Sequence, residues 1–391
     1  MAFVVWLMLM AGAGSLLAGT PGDTTAQFIF PLQDKHVHAS SIVALPNGDL
    51  LTAWFEGSGE RSANDVRIRG ARLRKGARRW SPVFEMADTP NTPDCNPVLF
   101  LDARNRLHLF WIAVIANRWE MSLLRHRVTQ DYQQPGAPVW QWQDVILLRP
   151  GDEFADAVRR GFAALPDPDL AWAEYAPPYE RMLIEAAKDP KKRELGWMTR
   201  AHPLELPGGR ILLPLYSDGF NFSLIAISDD GGDTWRPGLP IVGRGNVQPT
   251  LLRRSDGAVI AYMRDNGDPP GRIMRSVSKD GGESWSPARD GTLPNPGSSV
   301  VALALADGRW VLVYTEKGRH RLAIALSDDE GRSWKWRRYL DRAGPDEAKF
   351  HYPAVVQTPD GRIHITYTYQ VRAGKTIKHV SLPVQWLLSH E

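Results

Sequence analysis

The chain has 391 residues, of which 43% are apolar and 23% are charged, an ordinary balance for a globular protein with a large core. Its formal net charge is +3 and no dense run of Lys or Arg occurs, which argues against a nucleic-acid partner. The only cysteine, Cys95, excludes internal disulfides and a cysteine-based metal cluster. We expect Cys95 to be a small buried apolar residue.

Residues 1–26 are predicted to form a leader. Residues 1–18 are apolar and rich in small side chains, and a polar stretch follows at residues 20–23, which is typical of a signal peptide. Because no Lys or Arg precedes the apolar run, a membrane-tethered segment and a start placed too early both stay open. The run is short and interrupted by glycines, unlike a spanning helix. We expect export to a secreted or periplasmic location, and one main domain at residues 27–391.

Strand-like runs separated by turn residues begin after the leader. Residues 37–45 and 50–55 flank a turn at residues 46–49, which predicts a hairpin. Residues 65–73 add a third strand that leads to Trp80. These runs form a first unit of antiparallel strands.

A second unit of the same kind covers residues 96–128 and ends at Trp140 or Trp142. The rhythm then breaks, since residues 150–196 carry helical periodicity and many charges. The 93 residues between Trp142 and Trp235 are too many for one further unit. We predict a helical insertion, which either roofs an active site or elaborates the packing at the rim.

The phrase Ser-x-Asp-x-Gly-x-x-Trp then occurs three times, beginning at Ser228, Ser278 and Ser327, and its tryptophans are 50 and 49 residues apart. In this phrase the Asp can cap its own backbone and the Gly can supply a positive φ, while the Trp can fold back as an apolar plug. The period suits one four-stranded propeller blade per repeat. Three matching copies at a near-constant spacing indicate a repeat protein.

Six such units fit the chain. Two precede the insertion, and the other four cover residues 197–240, 246–290, 298–341 and 351–380. The last unit needs one more strand, which we expect from one of the termini. The sequence therefore predicts an all-β fold, a six-bladed β-propeller with a helical insertion between blades two and three.

The repeated phrase is the Asp-box, or bacterial neuraminidase repeat, and the chain resembles the sialidase superfamily over about residues 30–385. This resemblance implies a site in which three arginines hold a sugar carboxylate, a tyrosine with a glutamate base attacks the sugar, and an aspartate protonates the leaving group. Arginine suits the first task because it is permanently charged and forks onto a carboxylate. A neutral phenol suits the second because it does not repel an acidic substrate.

Two stretches carry the resemblance most clearly. The phrase His351-Tyr352-Pro353 resembles the sialidase segment that holds the nucleophile, which makes Tyr352 the candidate nucleophile. The stretch from Gln248 to Arg264 resembles the segment with the base glutamate and one triad arginine. Arg264 matches that arginine, whereas Gln248 stands where the family has the carboxylate. A glutamine can hydrogen-bond a phenol or a sugar but cannot accept a proton at neutral pH.

The other roles match less closely. The resemblance implies a further arginine at Arg321, or at Arg319, and an acid at Asp65 in the loop after the first hairpin. His38 stands at the place of the first triad arginine, where it can bind a sugar or exchange a proton near a pH of about 6.5. Strand starts converge on the axial face of a propeller. We therefore add three polar residues at strand starts to the predicted substrate-binding set: Asn96, Arg200 and His202.

Together these residues predict an exported, exo-α-sialidase-like glycoside hydrolase that cleaves terminal, acidic sugars from a glycan. A lyase that removes a proton beside a uronate carboxylate, with Tyr352 or a histidine as base, stays open. So does a non-catalytic propeller that only binds glycans. Because no phosphate loop, nucleotide fingerprint or metal-ligand cluster stands out, we expect no organic cofactor and no active-site metal. We infer no obligate protein partner, and a structural Ca²⁺ in a loop stays open.

Overall fold

The structure is a computed structural model that describes residues 24–60 and 63–389. Six antiparallel sheets form the blades of a six-bladed β-propeller, so the predicted fold class is confirmed. The predicted leader lies almost wholly outside the described residues. Within the described ranges, no helix is long and apolar enough to cross a membrane.

The strands of each blade follow one another in chain order. After β1 (Thr25–Phe28), blade one contains β2 (His36–Ala44), β3 (Leu50–Gly57), β4 (Arg67–Leu73) and β5 (Phe84–Ala87). Blade two contains β6 (Asp94–Leu101), β7 (Leu107–Val114), β8 (Ser122–Thr129) and β9 (Trp142–Ile146). Blade three contains β10 (Trp197–Thr199), β11 (Leu204–Glu205), β12 (Ile211–Ser217), β13 (Phe222–Ser228) and β14 (Arg236–Pro237).

The second half of the ring is more regular. Blade four contains β15 (Asn246–Arg253), β16 (Val259–Asp265), β17 (Arg272–Ser278) and β18 (Arg289–Pro294). Blade five contains β19 (Val301–Ala304), β20 (Trp310–Glu316), β21 (Arg321–Ser327) and β22 (Trp336–Arg342). Blade six contains β23 (Lys349–Gln357), β24 (Ile363–Val371) and β25 (Gly374–Leu382).

The strand β1 completes blade six. It pairs antiparallel with β25, from Thr25 opposite Ser381 to Phe28 opposite Lys378. The prediction that a terminal strand closes the last blade is therefore confirmed. Because β1 begins at Thr25, the last two residues of the predicted leader belong to the propeller.

The three Asp-boxes share one hydrogen-bonding pattern, shown here for the first. The carboxylate of Asp230 accepts from Ser228 Oγ at 2.7 Å and from Thr234 N at 2.9 Å, while Ser228 Oγ accepts from Gly232 N at 2.6 Å. The indole of Trp235 then packs edge-on against Phe110 of blade two, 5.6 Å between ring centroids. Each box thus closes a tight turn and plugs the seam to the preceding blade.

Blades one and two lack the Asp-box phrase, yet each keeps a tryptophan that packs as a plug. Trp80 is buried and packs edge-on against His379 of blade six, 5.2 Å between ring centroids. In blade two, Trp140 packs against the core that joins blades one and two, while Trp142 is 43% exposed. Trp140 is therefore the plug of that blade. The packing between these blades persists without the Asp, because burying the apolar indole ring does not require the hydrogen bonds of the Asp-box turn.

The insertion between blades two and three is helical, as predicted, and contains α1 (Glu153–Ala163), α2 (Ala176–Ala187) and α3 (Pro190–Arg193). A last helix, α4 (Val384–Leu388), follows blade six. One face of α1 packs on blade three through an apolar cluster: Phe154, Val158, Phe162, Trp197, Phe220 and Phe222. This contact favours the packing interpretation of the insertion.

Replacing Asp280 of the second box with Ala should lower the free energy of unfolding by about 1–3 kcal/mol, because the donors of Ser278 and Ser284 lose their acceptor. Burial opposes ionisation of Asp280, but the hydrogen bonds from Ser284 and Ser278 outweigh it and lower the pKa of the carboxyl. The ionised Asp280 carboxylate therefore stabilises the folded protein fully above the unfolded-state pKa of about 3.9. This stabilisation is lost as pH falls through the lower folded-state pKa. Urea unfolding at about pH 7 and about pH 3 measures both effects.

The matched control is Lys279→Ala, at an exposed position of the same turn. It should change the free energy of unfolding by less than about 0.5 kcal/mol. Equal losses in the two variants would contradict the role assigned to the Asp280 carboxylate.

Candidate active site

The inner strands of four blades share one local distortion. In β2, β6, β15 and β23 the register slips against the neighbouring strand. One residue at each slip has left-handed backbone: Ala39 (φ 54°), Asn96 (φ 51°), Gln248 (φ 57°) and Tyr352 (φ 51°). Such bulges are strained for residues other than glycine and redirect side chains beside active sites. A proline follows three of the four and is tolerated there because a bulge leaves a residue unpaired.

The side chain of Tyr352 is where residues of different blades meet. Its hydroxyl oxygen accepts from Gln248 Nε2 at 3.0 Å and from Arg264 Nη1 at 3.3 Å. The Cζ of Arg200 lies 4.8 Å from the centroid of the Tyr352 ring, and the His38 ring lies 4.1 Å from it, centroid to centroid. The fold therefore brings four of the sequence-predicted residues into contact with Tyr352.

Arg200, which the sequence predicts to bind substrate, is deeply buried. Its Nη1 and Nη2 donate to the main-chain oxygens of Ser40 at 3.3 Å and Pro353 at 2.8 Å. Burial lowers the pKa of the guanidinium to about 10, so it stays protonated at neutral pH. Because both terminal nitrogens are engaged by main-chain oxygens, the geometry does not favour direct substrate binding by Arg200.

Three imidazoles lie on the side of Tyr352 that blades one and six share. The His38 ring is 5.7 Å from His36 and 5.5 Å from His351. Burial lowers the pKa of His36 to about 4, with Lys375 adding to the effect, and that of His351 to about 3, with Arg319 adding to it. Burial also holds the pKa of His38 well below its usual value. All three are neutral at neutral pH, so His38 supplies no positive charge at the place of the first triad arginine.

Arg319, rather than Arg321, is the arginine of blade five that reaches this group. Its Nη1 lies 3.0 Å from Nδ1 of His351, and its Nη2 donates to the oxygen of Gly297 at 2.7 Å. The Cζ of Arg321 lies instead over the ring of Tyr339, 5.6 Å from its centroid. Of the two arginines that the sequence left open, Arg319 therefore lies at this group, because Arg321 already belongs to the β21 ladder whereas Arg319 sits in the preceding turn with a φ of 74°.

Tyr216 of β12 joins the site, although the sequence did not single it out. Its hydroxyl accepts from Asn96 Nδ2 at 3.1 Å and also bonds the side chain of Gln248. Burial, with the field of Tyr352 adding to it, raises the pKa of Tyr216 above its usual range. Hydrogen bonds therefore connect Asn96 to Tyr352 by way of Tyr216 and Gln248. A tyrosine near the end of an apolar strand is too common a pattern to have marked it.

Two carboxylates lie in the loop between β3 and β4. Asp65, the predicted acid, is exposed, and its Oδ1 accepts from Ser58 N at 3.0 Å and from Ser58 Oγ at 2.8 Å. These bonds, that of Ser58 N foremost, lower the pKa of Asp65. Glu60, which sequence reasoning missed, places Oε2 3.7 Å from Nε2 of His36, and its charge acts on Arg319. Of the two, Glu60 is the carboxylate whose field reaches an arginine of the site.

The predicted residue His202 lies in the loop between β10 and β11. Burial lowers the pKa of its imidazole to about 4. None of the contacts of Tyr352 described above involves His202, so the structure does not place it in the group around that side chain.

A chain of side chains connects the helical insertion to Arg264. Arg264 Nη2 donates to Asn266 Oδ1 at 2.9 Å, and Asn266 Nδ2 donates to Asn221 Oδ1 at 2.9 Å. Tyr179 of α2 bonds Asn221 in turn. The insertion thus supports one arginine of the site in addition to packing on blade three.

The described side chains offer a phenol, amides, guanidinium groups, neutral imidazoles and a loop carboxylate. Within residues 24–60 and 63–389, no group of three or more His, Cys, Asp or Glu is arranged to hold a metal ion. Cys95 is fully buried, as expected from its sequence context.

Comparison with known proteins gives three results. The BNR repeat-like domain matches residues 48–154 and 188–365. The anhydrosialidase of Macrobdella decora is 24% identical in an alignment of 181 residues that covers 41% of this chain and only 23% of that relative's length. Among solved structures, a protein of unknown function from Dyadobacter fermentans has a TM-score of 0.66 at 16% identity, covering 93% of this chain and 99% of that one. The intramolecular trans-sialidase of Ruminococcus gnavus has a TM-score of 0.66 at 13% identity, covering 95% and 100%.

Replacing His351 with Gln should flatten the pH dependence of stability below a pH of about 6.5. The folded-state pKa of about 3 lies below the unfolded-state value, so the unfolded chain binds more protons in this window and stability falls as pH falls. The loss from this one histidine is at most about 1.4 kcal/mol per pH unit. Urea unfolding at about pH 7, 6 and 5 measures the slope.

The matched control is Arg372→Gln, at an exposed position of the turn between β24 and β25, which should keep the wild-type slope. The assigned burial of a neutral His351 would be refuted if the two variants showed the same slope as the wild type.

Proposed function

The chain belongs to the BNR repeat-like family, and on that basis we propose that it is an exo-glycosidase that removes terminal acidic sugars from glycans with Tyr352 as nucleophile. The observation that carries the proposal is that side chains from three other blades contact Tyr352. Gln248 and Arg264 come from blade four, Arg200 comes from blade three, and His38 comes from blade one. Such convergence of cations on one phenol is chemically suited to an anionic substrate.

Two arginines are proposed to hold the carboxylate of the sugar. Arg264 and Arg319 are both partly exposed, unlike Arg200, and the fields of both arginines act on each other. Arg264 touches the Tyr352 oxygen, while Arg319 touches His351, the residue before it. A carboxylate held between these guanidinium groups would lie beside the nucleophile, and charge-assisted hydrogen bonds would orient it.

The loop between β3 and β4 is proposed to supply the acid that protonates the leaving oxygen. It offers Asp65, which resembles the family's acid by its place in the sequence, and Glu60, which interacts with His36 and Arg319. We also propose that the protein is exported, on the basis of the apolar residues 1–18 alone.

A lyase acting on uronate-containing glycans is the second candidate function. It is favoured by one observation, the neutral imidazole of His38 next to Tyr352 at a site where Gln248 cannot act as a base. A lyase would release an unsaturated sugar that absorbs in the ultraviolet, whereas a hydrolase would release a saturated one.

Tyr352→Phe should lower kcat/KM at least about 1000-fold while leaving the fold intact, because the change removes only the attacking oxygen. The assay follows fluorophore release from an α-sialoside, and from uronate and deoxysugar analogues in parallel. Release by the wild type and not by the variant supports the proposal. If the wild type releases no fluorophore from any acidic sugar, the proposed hydrolase is wrong and the ultraviolet assay decides whether a lyase takes its place.

Arg319→Ala should raise KM for an acidic substrate by about 10- to 100-fold, since it removes charge-assisted hydrogen bonds to the carboxylate. Arg321→Ala is the matched control two residues away and should change KM by less than about twofold. Steady-state kinetics of both variants provide the comparison. A larger effect at Arg321 would return the substrate-binding role to the residue favoured by the sequence.

A further inference from the structure

Two imidazoles beside His38 each accept a hydrogen bond from a cation. Lys375 Nζ donates to Nδ1 of His36 at 2.9 Å. Arg319 Nη1 donates to Nδ1 of His351 at 3.0 Å. The ring of His38, itself in contact with the candidate nucleophile, lies 5.7 Å from the first imidazole and 5.5 Å from the second, centroid to centroid. The two cations therefore flank the group of rings at the site.

The imidazoles orient these cations without neutralising them. Because Lys and Arg only donate hydrogen bonds, each imidazole accepts at Nδ1 and carries its proton at Nε2. Burial lowers the pKa of His36 to about 4 and that of His351 to about 3, so both rings are neutral at neutral pH. A neutral ring supplies no negative charge, and the positive charge of each cation is left to act on other groups.

The charge of Lys375 has no counter-ion in contact with it. Lys375 is partly buried, and no carboxylate in the part of the chain that the structure describes forms an ion pair with it. On the same strand, by contrast, Lys378 pairs with Asp341 at 2.6 Å. The charge of Glu60 acts on Lys375 from farther away and opposes the lowering of its pKa by burial. A cation withdrawn from water without a paired anion is costly, and such costs are typical of functional sites.

The backbone holds Lys375 in place. Its N donates to the main-chain oxygen of Gln33 at 3.0 Å, and its main-chain oxygen accepts from Gln33 N at 3.0 Å. Gly374 permits this close approach, because a Cβ there would lie 2.5 Å from the oxygen of Gln33, and its φ is 139°. The side chain is thus fixed at its base by the backbone and at its tip by His36. A cation already in place loses little freedom when an anion binds.

Lys375 and Arg319 act on the same neighbours, although they come from blades six and five. Both charges act on the imidazole of His351, and the charge of Glu60 acts on both cations. The two cations therefore border one space beside His38. An anion in that space would interact with both of them.

We propose that Lys375 is a further substrate-binding residue, whose ammonium holds the carboxylate of the acidic sugar together with Arg319. This inference rests on the proposed function for the identity of the ligand, a terminal acidic sugar. The guanidinium of Arg319 supplies directional hydrogen bonds, and the ammonium of Lys375 adds a second positive charge on the other side of His38. Lys375 thereby favours an ionised sugar over a neutral one.

The competing explanation is that Lys375 only supports His36. Loss of that support would weaken the binding of an acidic sugar and of its neutral methyl ester equally. Loss of a direct contact with the carboxylate would weaken the binding of the acid alone. The two explanations therefore separate in a comparison of the two ligands.

The test is titration calorimetry with the methyl α-glycoside of N-acetylneuraminic acid and the methyl glycoside of glucuronic acid, each beside its methyl ester. The wild type should bind at least one acid more tightly than its ester. Lys375→Gln should weaken binding of that acid about 10- to 100-fold, because a charge-assisted hydrogen bond is lost, and should change ester binding less than about twofold. Lys375→Arg keeps the charge and should restore most of the affinity for the acid.

The matched control is Arg372→Gln, which removes a cation from the exposed turn before Lys375 and should leave the binding of both ligands unchanged. Thermal unfolding first shows which variants are folded, and Lys375→Met serves if Lys375→Gln does not fold.

The proposal is overturned if the folded Lys375 variant loses acid and ester binding equally or loses neither, or if the wild type binds each acid no more tightly than its ester. Fluorophore release by the wild type with an unchanged KM in Lys375→Gln would reject this inference and keep the proposed hydrolase. Acid binding that depends on Lys375, without release by the wild type, would do the reverse.

Discussion

The pairing of β1 with β25 closes the ring of blades, and the position of each site residue depends on that closure. It sets blade six, which carries Tyr352, beside blade one, which carries His38, although the two come from opposite ends of the chain. Inner strands of a closed ring face one another across a narrow axis. Polar side chains placed there are withdrawn from water and must satisfy one another.

Within this ring, the bulges determine which side chains point toward the propeller axis. A regular strand would send alternate side chains to its two faces, into the packing between blades. The left-handed residues Asn96, Gln248 and Tyr352 interrupt that alternation at equivalent places in three blades. Their side chains then meet partners from other blades, as in the hydrogen bond between Gln248 and Tyr352. The strain of such a backbone is tolerable because ladder pairing holds the strand on both sides of each bulge.

The charge at the axis differs from the pattern that the sialidase resemblance implies. A neutral His38 takes the place of one arginine and Gln248 takes the place of the carboxylate, while the buried Arg200 adds a cation from a third blade. One lost cation and one lost anion cancel, so the added Arg200 makes the site more positive by one charge. Guanidinium groups therefore remain at this site, but no carboxylate of residues 24–60 and 63–389 hydrogen-bonds the Tyr352 hydroxyl.

The sequence by itself determined the fold. The Asp-box phrase specifies a local turn, and the spacing between boxes matches the length of one blade. Both the turn and the spacing can be read from residues that are near one another in the chain. It also pointed to Tyr352, Gln248 and Arg264, since each lies in a short stretch with its own pattern. Only the tertiary structure shows that Arg319 contacts His351, that Tyr216 and Glu60 contact Asn96 and His36, and that Arg200 is buried. These contacts and this burial depend on the direction in which a backbone turn points a side chain and on which blades meet at the propeller axis. Contacts between residues far apart in the chain leave no mark in the local spacing of a single sequence.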